Sequence, residues 1–476
     1  MELLVLGGGP AGATAAMHAR ELGAQVTLVE ANRAGGTSIN DGPAPVRTLA
    51  RAARLMRDAR SWDRFGLHGA PPRLDIADAL ANSQRVADYV HEQRRLDEFI
   101  RANGIELVEG AGAAVFQDLH TVRVTDGRTF SGDAIIIAVG GHAGRLPIPG
   151  AELGKTYSDI RGLTEIPGSA AIVGGADTGV QIASILADFG SAVTIFEFGP
   201  RLVSRADQDI SAALAEAFTQ RGIGVRVGTG VERLERTAAG VTAHYRSGEQ
   251  QSQLPVDAVF FAVGWPGNAD TLGAAGVGIK TSRGCVEVGP DLRSNVPHNL
   301  AAGDANGISM LVPSARHEGR IAAENAVLGT RRGFSHDLVP TGSFTDPEFG
   351  GVGLTEAQAR ERYDCVVAVA YYADMVRPVA DGHPDGFCKL IVERHHRFIL
   401  GAHVIGEYSA EVIQMVAGCM AGNMRIEQVA DLHPAFPTFT EAVSIAAQKI
   451  VRQLGIAPMA PGWGEEDPAP ITPSVG

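Results

Sequence analysis

The chain spells the same run of local elements twice: an apolar strand, a glycine-rich turn, a helix, and a second strand ending on glutamate. In the first copy, LLVLGGGPAGATAAMHARELGAQVTLVE, the strand Leu3 to Leu6 runs into Gly7, Gly9, Pro10 and Gly12, and the strand Gln25 to Val29 ends at Glu30. The second copy, AAIVGGADTGVQIASILADFGSAVTIFE, sets Gly174, Ala176 and Gly179 at the same offsets, with Thr178 before the last, and ends at Glu197. Each glutamate lies 18 residues beyond the third turn position of its copy. Glycine at such a turn lets the backbone approach a pyrophosphate, and the helix that follows turns its positive N-terminal end toward that charge. The closing carboxylate accepts hydrogen bonds from a ribose diol. One glycine-rich turn arises from packing alone; two, each bracketed by strand, helix and matched glutamate, predict two bound dinucleotides.

The rest of the composition fits an ordinary globular protein. A length of 476 residues allows about three domains of ~150 residues. A net charge of -13 argues against nucleic acid or an anionic membrane as partner. The first apolar strand begins at residue 3 and no apolar run nears the ~20 residues of a membrane span, so the expected location is cytoplasmic. Cys285, Cys365, Cys388 and Cys419 form no Cys-x-x-Cys, which indicates neither a metal site nor a disulfide framework.

Between the two copies, GGTSINDGPAPVRTLARAARLMRDAR reads as a Gly/Pro-rich loop entering a basic helix. Residues 74–103 read as one long polar helix, and Ile105 to Phe130 alternate like antiparallel strands. AIIIAVGGHAGRLPIPG gives a buried strand, Ile135 to Val139, leaving through Gly140 into a Pro-rich crossover. DAVFFAVGWPGN gives another, leaving through Gly264. Two such exits around one unit predict a nucleotide domain inserted into another. From Pro340 onward the chain reads as a strand-rich sheet with helices on one side, and the Pro/Gly-rich end reads as a loose tail or arm.

The segments GGGPAG, GGTSIN, PIPG, FAVGWPGN, AAGDANG, FTDPEFGGVGLTEAQA, GFCKLIVE, ILGAHVIG and PTFTEAV together resemble the flavoprotein disulfide reductase family, which includes dihydrolipoamide dehydrogenase, glutathione reductase, mercuric reductase and the soluble transhydrogenase. The resemblance runs from the first strand to about Leu454. It implies an α/β fold with two Rossmann-like domains, the NAD domain inserted in the FAD domain, and a C-terminal α+β dimerisation domain. The bounds expected are 1–150 and 268–335 for FAD, 151–267 for NAD(P)H, 340–455 for dimerisation, and 456–476 for the tail. FAD is expected at Gly7, Gly9, Pro10, Gly12, Glu30, Gly36, Thr37, Gly140, Gly303 and Asp304, and the nicotinamide cofactor at Gly174, Ala176, Thr178, Gly179, Glu197 and Gly264. A homodimer is implied. Glu197 would repel a 2′-phosphate and favours NADH, while nearby Arg201 keeps NADPH open.

The departures from the family pattern bear on mechanism. Where the family carries a Cys-x4-Cys pair against the flavin, this chain has Ser38 and Pro43, neither capable of a disulfide relay. Where the family has the His of His-Pro-Thr-x-x-Glu, the alignment on Pro437, Thr438 and Glu441 places Phe436, which cannot transfer protons; His433 lies three residues earlier. The family Lys and Glu that pair near the flavin correspond to Arg47 and Gln181, which makes the local field more positive unless Arg47 pairs with an acidic neighbour such as Asp41.

The expected activity is therefore an FAD-dependent NAD(P)H oxidoreductase passing electrons from flavin directly to a small acceptor, quinone-like or otherwise, in a pocket walled by Ser38 and Pro43 of one subunit and by His433, Phe436 and Thr438 contributed by the second subunit of the dimer. Nicotinamide transhydrogenation is the near alternative. A biosynthetic flavin oxidase or reductase, with Glu441, His433 or Arg47 as the base, is a third reading. A flavin-binding sensor or scaffold without turnover is the non-enzymatic one.

Overall fold

The computed structural model describes residues 1–238 and 240–456, so the tail expected at 456–476 lies, apart from Ile456, outside the described residues. The chain forms two compact units. The first comprises Met1–Gly174, Ile185–Phe196 and Gly230–His336; the second comprises Gly175–Ser184, Glu197–Thr229 and the chain from Asp337 onward.

The first unit is built on a five-stranded parallel sheet in the order Asn299–Ala301, Ala134–Ile137, Glu2–Leu6, Gln25–Val29, Glu106–Val108. A parallel sheet is covered on both faces, which is why its central strands are unbroken apolar runs. Leu3 and Val5 pack with Ala15, Ala16 and Ala19 of the helix Pro10–Glu21, while Leu4 and Leu6 pack on the other side with Phe116 and Val122. The small residues along that helix admit a second helix, Val312–Val327, so closely that a Cβ on Gly319 would stand 2.2 Å from the Ala11 carbonyl. The strand Asn299–Ala301 pairs with Ala134–Ile137, so the second fingerprint is an insertion into this sheet. The inserted strands Ala192–Phe196, Ser169–Val173, Ala258–Phe261 and Lys155–Thr156 lie side by side and parallel.

Two expectations for the first unit need correction. The helix expected over 74–103 is two, Ile76–Arg94 and Leu96–Ala102, because Arg95 takes a left-handed conformation with φ 40. The stretch Ile105 to Phe130 is not wholly antiparallel: Glu106–Val108 joins the parallel sheet beside Gln25–Val29, with Leu107 and Val108 buried. Only Ala114–Phe116, Thr121–Val124 and Thr129–Ser131 form the antiparallel meander.

The second unit holds a five-stranded antiparallel sheet in the order Thr341–Ser343, Phe349–Gly353, Ile399–Ile405, Phe387–Glu393, Cys365–Tyr371. Alternation along Phe387–Glu393 explains its two cores. Cys388, Leu390 and Val392 face the helices Ser409–Ala421 and Glu441–Leu454, whereas Ile391 faces Ala359 of the helix Glu356–Arg362. Helices therefore lie on both sides of this sheet, not one. Lys389 shares the face of Ile391 and is 2% exposed. Its ammonium meets Asp207 at 3.0 Å, Asp209 at 2.8 Å, and Glu356. Burial works to raise the Asp207 carboxyl, but hydrogen bonds from the Glu356 N–H and Lys389 outweigh it and hold the group below the usual range.

Candidate functional site

At the first fingerprint the backbone leaves no room for side chains. Gly7 has φ 101, and a Cβ on Gly12 would stand 1.8 Å from the Gly7 carbonyl oxygen. Gly9 caps the helix Pro10–Glu21 with no side-chain acceptor, and Pro10 at the first turn has no N–H to satisfy. The positive end of that helix is left for an external anion. Glu30 closes the loop from the next strand: its Oε2 accepts from the Gly8 N–H at 2.6 Å and its Oε1 from the Asn32 N–H at 2.8 Å. The Gly-Gly-Thr segment is docked on this loop by the Gly35 N–H, which donates to the Gly8 carbonyl at 2.8 Å. Gly36 and Thr37 begin a short helix, Gly36–Asn40, and the Thr37 carbonyl accepts from the Gly42 N–H at 2.6 Å.

The second fingerprint repeats the arrangement. The Gly175 N–H donates to Glu197 Oε2 and the Gly199 N–H to Glu197 Oε1, each at 2.6 Å. Ala176 stands before the helix Asp177–Asp188 and its carbonyl accepts from the Val180 N–H at 3.1 Å; Thr178 and Gly179 lie in the first helical turn. A Cβ on Gly174 would stand 2.3 Å from the Ala262 carbonyl oxygen. Arg201, read as room for a 2′-phosphate, donates instead to the carbonyls of Ala206 at 2.9 Å and Ser204 at 2.6 Å.

Asp304 arrives on the turn Gly303–Asn306, which follows the strand Asn299–Ala301. Two residues missed by sequence reasoning hold this turn. Glu318, fully buried, accepts from the Gly303 N–H and the Asn306 amide, both at 2.7 Å, and from His336 at 2.6 Å. Its signal was a lone carboxylate among Ala315, Gly319 and Ala322 on the buried side of the helix Val312–Val327. The Trp265 indole donates to Asp304 Oδ2 at 2.9 Å. Desolvation pushes the Asp304 carboxyl up, against the pull of that hydrogen bond. Gly140 and Gly264 serve as backbone junctions: the Gly140 carbonyl accepts from the Asn268 N–H and the Gly264 carbonyl from the Gly144 N–H, both at 3.0 Å.

Of the residues read as catalytic, Ser38, Pro43 and Arg47 belong to the first unit and Gln181, His433, Phe436 and Glu441 to the second. Ser38 Oγ donates to the Gly35 carbonyl at 3.1 Å. Pro43 opens the helix Pro43–Asp58, and Arg47 follows one turn later. Asp41 is met by Arg161 at 3.6 Å and by the Ser158 hydroxyl. Tyr157, also missed from sequence, brings its hydroxyl to 3.2 Å from where a Cβ on Gly42 would be. Desolvation and then the Asp41 charge push its phenol up, so it carries its proton at neutral pH. Gln181 Nε2 donates to the Asp177 carbonyl at 3.2 Å. In the second unit His433 is exposed, Phe436 is 71% exposed before a cis bond to Pro437, and Glu441 starts the helix Glu441–Leu454. Glu441 Oε2 is buried without a hydrogen-bond partner among the described residues.

These features fit FAD at the first fingerprint, where the uncapped helix end and the pre-set Glu30 match a pyrophosphate and a ribose, and Asp304 supplies a further acceptor. All four cysteines are free, with Cys365, Cys388 and Cys419 buried and Cys285 half-buried. Among the described residues no group of His, Cys, Asp and Glu is arranged to hold a metal, and no helix is long and apolar enough to cross a membrane.

Residues 1–319 match the family model for pyridine nucleotide-disulphide oxidoreductase, and residues 339–447 match that family's dimerisation domain. Among curated proteins, the chain is 31% identical over 456 residues to a dihydrolipoyl dehydrogenase of Zymomonas mobilis, covering 93% of this chain and 96% of that one. It is 28% identical to a mercuric reductase of Staphylococcus aureus, covering 94% of this chain and 82% of the other. Among solved structures, the HOCl-induced flavoprotein disulfide reductase RclA of Escherichia coli superposes with a TM-score of 0.81 at 26% identity, covering 94% of this chain and 99% of that one. The chain therefore belongs to the pyridine nucleotide-disulphide oxidoreductase family, flavin-dependent oxidoreductases that use FAD and a pyridine nucleotide.

Proposed function

We propose that this chain is a cytoplasmic, homodimeric FAD-dependent NAD(P)H oxidoreductase that delivers electrons to a small, flat acceptor such as a quinone without a disulfide relay. The observation that carries the reading is the contrast between two intact dinucleotide loops and a relay position without sulfur. Ser38 and Pro43 stand after Gly36 and Thr37, and Ser38 uses its hydroxyl to hold the Gly35 carbonyl. When bound, FAD supplies two-electron chemistry: one NAD(P)H and one proton are consumed for each acceptor that gains two electrons and two protons. Glu30 and Glu197 hold the ribose ends, and the engagement of Arg201 with its own loop favours NADH.

Anaerobic titration with NADH tests this. Without a relay the enzyme takes up two electrons per FAD, with loss of the yellow flavin band and full return of colour on adding a quinone. Uptake of four electrons per FAD, with two new thiols titrated, would show a working disulfide and refute the proposal.

A further inference from the structure

The strand Ala258–Phe261 leaves through Gly264 into Trp265, a residue the two fingerprints do not call for. The main chain braces this exit against the earlier one: the Gly144 N–H donates to the Gly264 carbonyl, the His142 N–H to the Pro266 carbonyl and the Asn268 N–H to the Gly140 carbonyl, all at 3.0 Å. The indole lies across Gly141, where a Cβ would stand 2.6 Å from its Cδ1 and Nε1, so glycine is what admits it. The Tyr157 ring meets it edge-on, with centroids 6.4 Å apart and an interplanar angle of 82°. Held on these sides, Nε1 donates to Asp304 Oδ2 at 2.9 Å. The Asp304 turn is fixed separately by Glu318, through the Gly303 N–H and the Asn306 amide. One oxygen of Asp304 is thus occupied by a rigid donor with two χ angles to freeze, and Oδ1 is left to accept from a ligand. Burial pushes the Asp304 carboxyl up, the indole N–H pulls it back, and the Glu318 charge adds to the rise.

We propose that Trp265 is a positioning residue for the flavin: its indole N–H holds the Asp304 carboxylate in place as an acceptor for a hydroxyl of bound FAD. The inference rests on FAD lying at the first fingerprint with Asp304 as one of its acceptors, and it is independent of which molecule finally takes the electrons. The test is the rate of FAD release from diluted holoenzyme, followed as free-flavin fluorescence. Without the indole N–H, Asp304 takes up a proton at higher pH and its charge-assisted bond to FAD is lost. Trp265→Phe should therefore release FAD about tenfold faster than wild type near about pH 5.5, and the gap should narrow to about threefold or less near about pH 8.5, where Asp304 is ionised in both. A ring that merely packs would give a gap independent of pH. Trp265→His, whose Nε2 can stand where the indole nitrogen does, should release FAD more slowly than Trp265→Phe at both pH values. In an Asp304→Asn background, Trp265→Phe should change the rate by less than about twofold, since the two residues act as one unit. Release that matches wild type, a gap of the same size at both pH values, no rescue by Trp265→His, or the full effect persisting in Asp304→Asn overturns the proposal. Failure of the underlying cofactor assignment shows differently, as Asp304→Asn alone releasing FAD at the wild-type rate, and it takes this inference with it.

Discussion

Replacing Lys389 by methionine removes a buried ammonium from among three carboxylates while keeping a similar apolar volume. Lys389 and Asp207 are each only 2% exposed, so the substitution strands the Asp207 carboxylate in a poorly solvated place; Asp209, at 56% exposed, stays hydrated and adds little. Breaking a buried pair from one side costs about 3–5 kcal/mol. At roughly 2–4 °C per kcal/mol for a body of this size, the second unit should melt about 6–20 °C lower. Differential scanning calorimetry of the holoenzyme at fixed scan rate measures it, and Asp207→Asn combined with Lys389→Met should recover most of the loss because no charge is then stranded. The pH dependence has a definite sign. Asp207 and Glu356 are both held below their ordinary values in the fold, so their contribution is present above the unfolded carboxylate range and is lost as pH falls through the folded values. The variant, by contrast, is relieved when Asp207 takes up a proton. The gap between wild type and Lys389→Met should therefore be widest near neutrality and close below about pH 4. A variant melting within about 1 °C of wild type at neutral pH would refute the argument that this pair is a desolvated one.

Four further outcomes are expected. Gly12→Ala, whose Cβ would collide with the Gly7 carbonyl oxygen at 1.8 Å, should purify with several-fold less flavin per protein by absorbance; full flavin content would contradict the close approach. Glu197→Ala should raise the KM for NADH about tenfold or more while that for NADPH rises less, and an unchanged ratio would remove Glu197 from cofactor choice. Phe436→Asp should shift the protein toward monomer in sedimentation velocity, since a phenylalanine 71% exposed in one chain is a natural contact for a second; an unchanged dimer would place it outside the interface. Iodoacetamide applied to the folded, NADH-treated protein should modify Cys285 and spare Cys388, whose thiol burial pushes up to about 12; mass spectrometry showing a labelled Cys388 would contradict its burial.

Much of the architecture was legible because each strand of a doubly covered sheet must be apolar throughout, so Leu3 to Leu6 and Ile135 to Ile137 announced themselves. The paired glutamates were legible for a related reason: spacing reports where a strand ends. The errors have physical causes. Glu106–Val108 is three residues long, too short to show whether its partner runs parallel, and only the pairing with Gln25–Val29 decides it. Arg95 interrupts a helix-compatible sequence by a backbone turn that no glycine or proline marks. Helices on both sides of the C-terminal sheet were missed because Lys389 made one face of its strand look solvated, when three carboxylates had in fact drawn the ammonium inside. Trp265 and Glu318 were missed because they act through hydrogen bonds to a turn remote from them in sequence, which leaves no periodic trace.

The carboxylates of Glu30 and Glu197 are each tethered by two main-chain amides before any nucleotide arrives. Their rotamers are thus chosen in advance, and the entropy of freezing a flexible glutamate is spent during folding and not at the encounter. Cofactor capture at these two loops should accordingly behave as lock-and-key association, with single-phase kinetics whose rate climbs in proportion to nucleotide concentration and shows no plateau from a slow rearrangement.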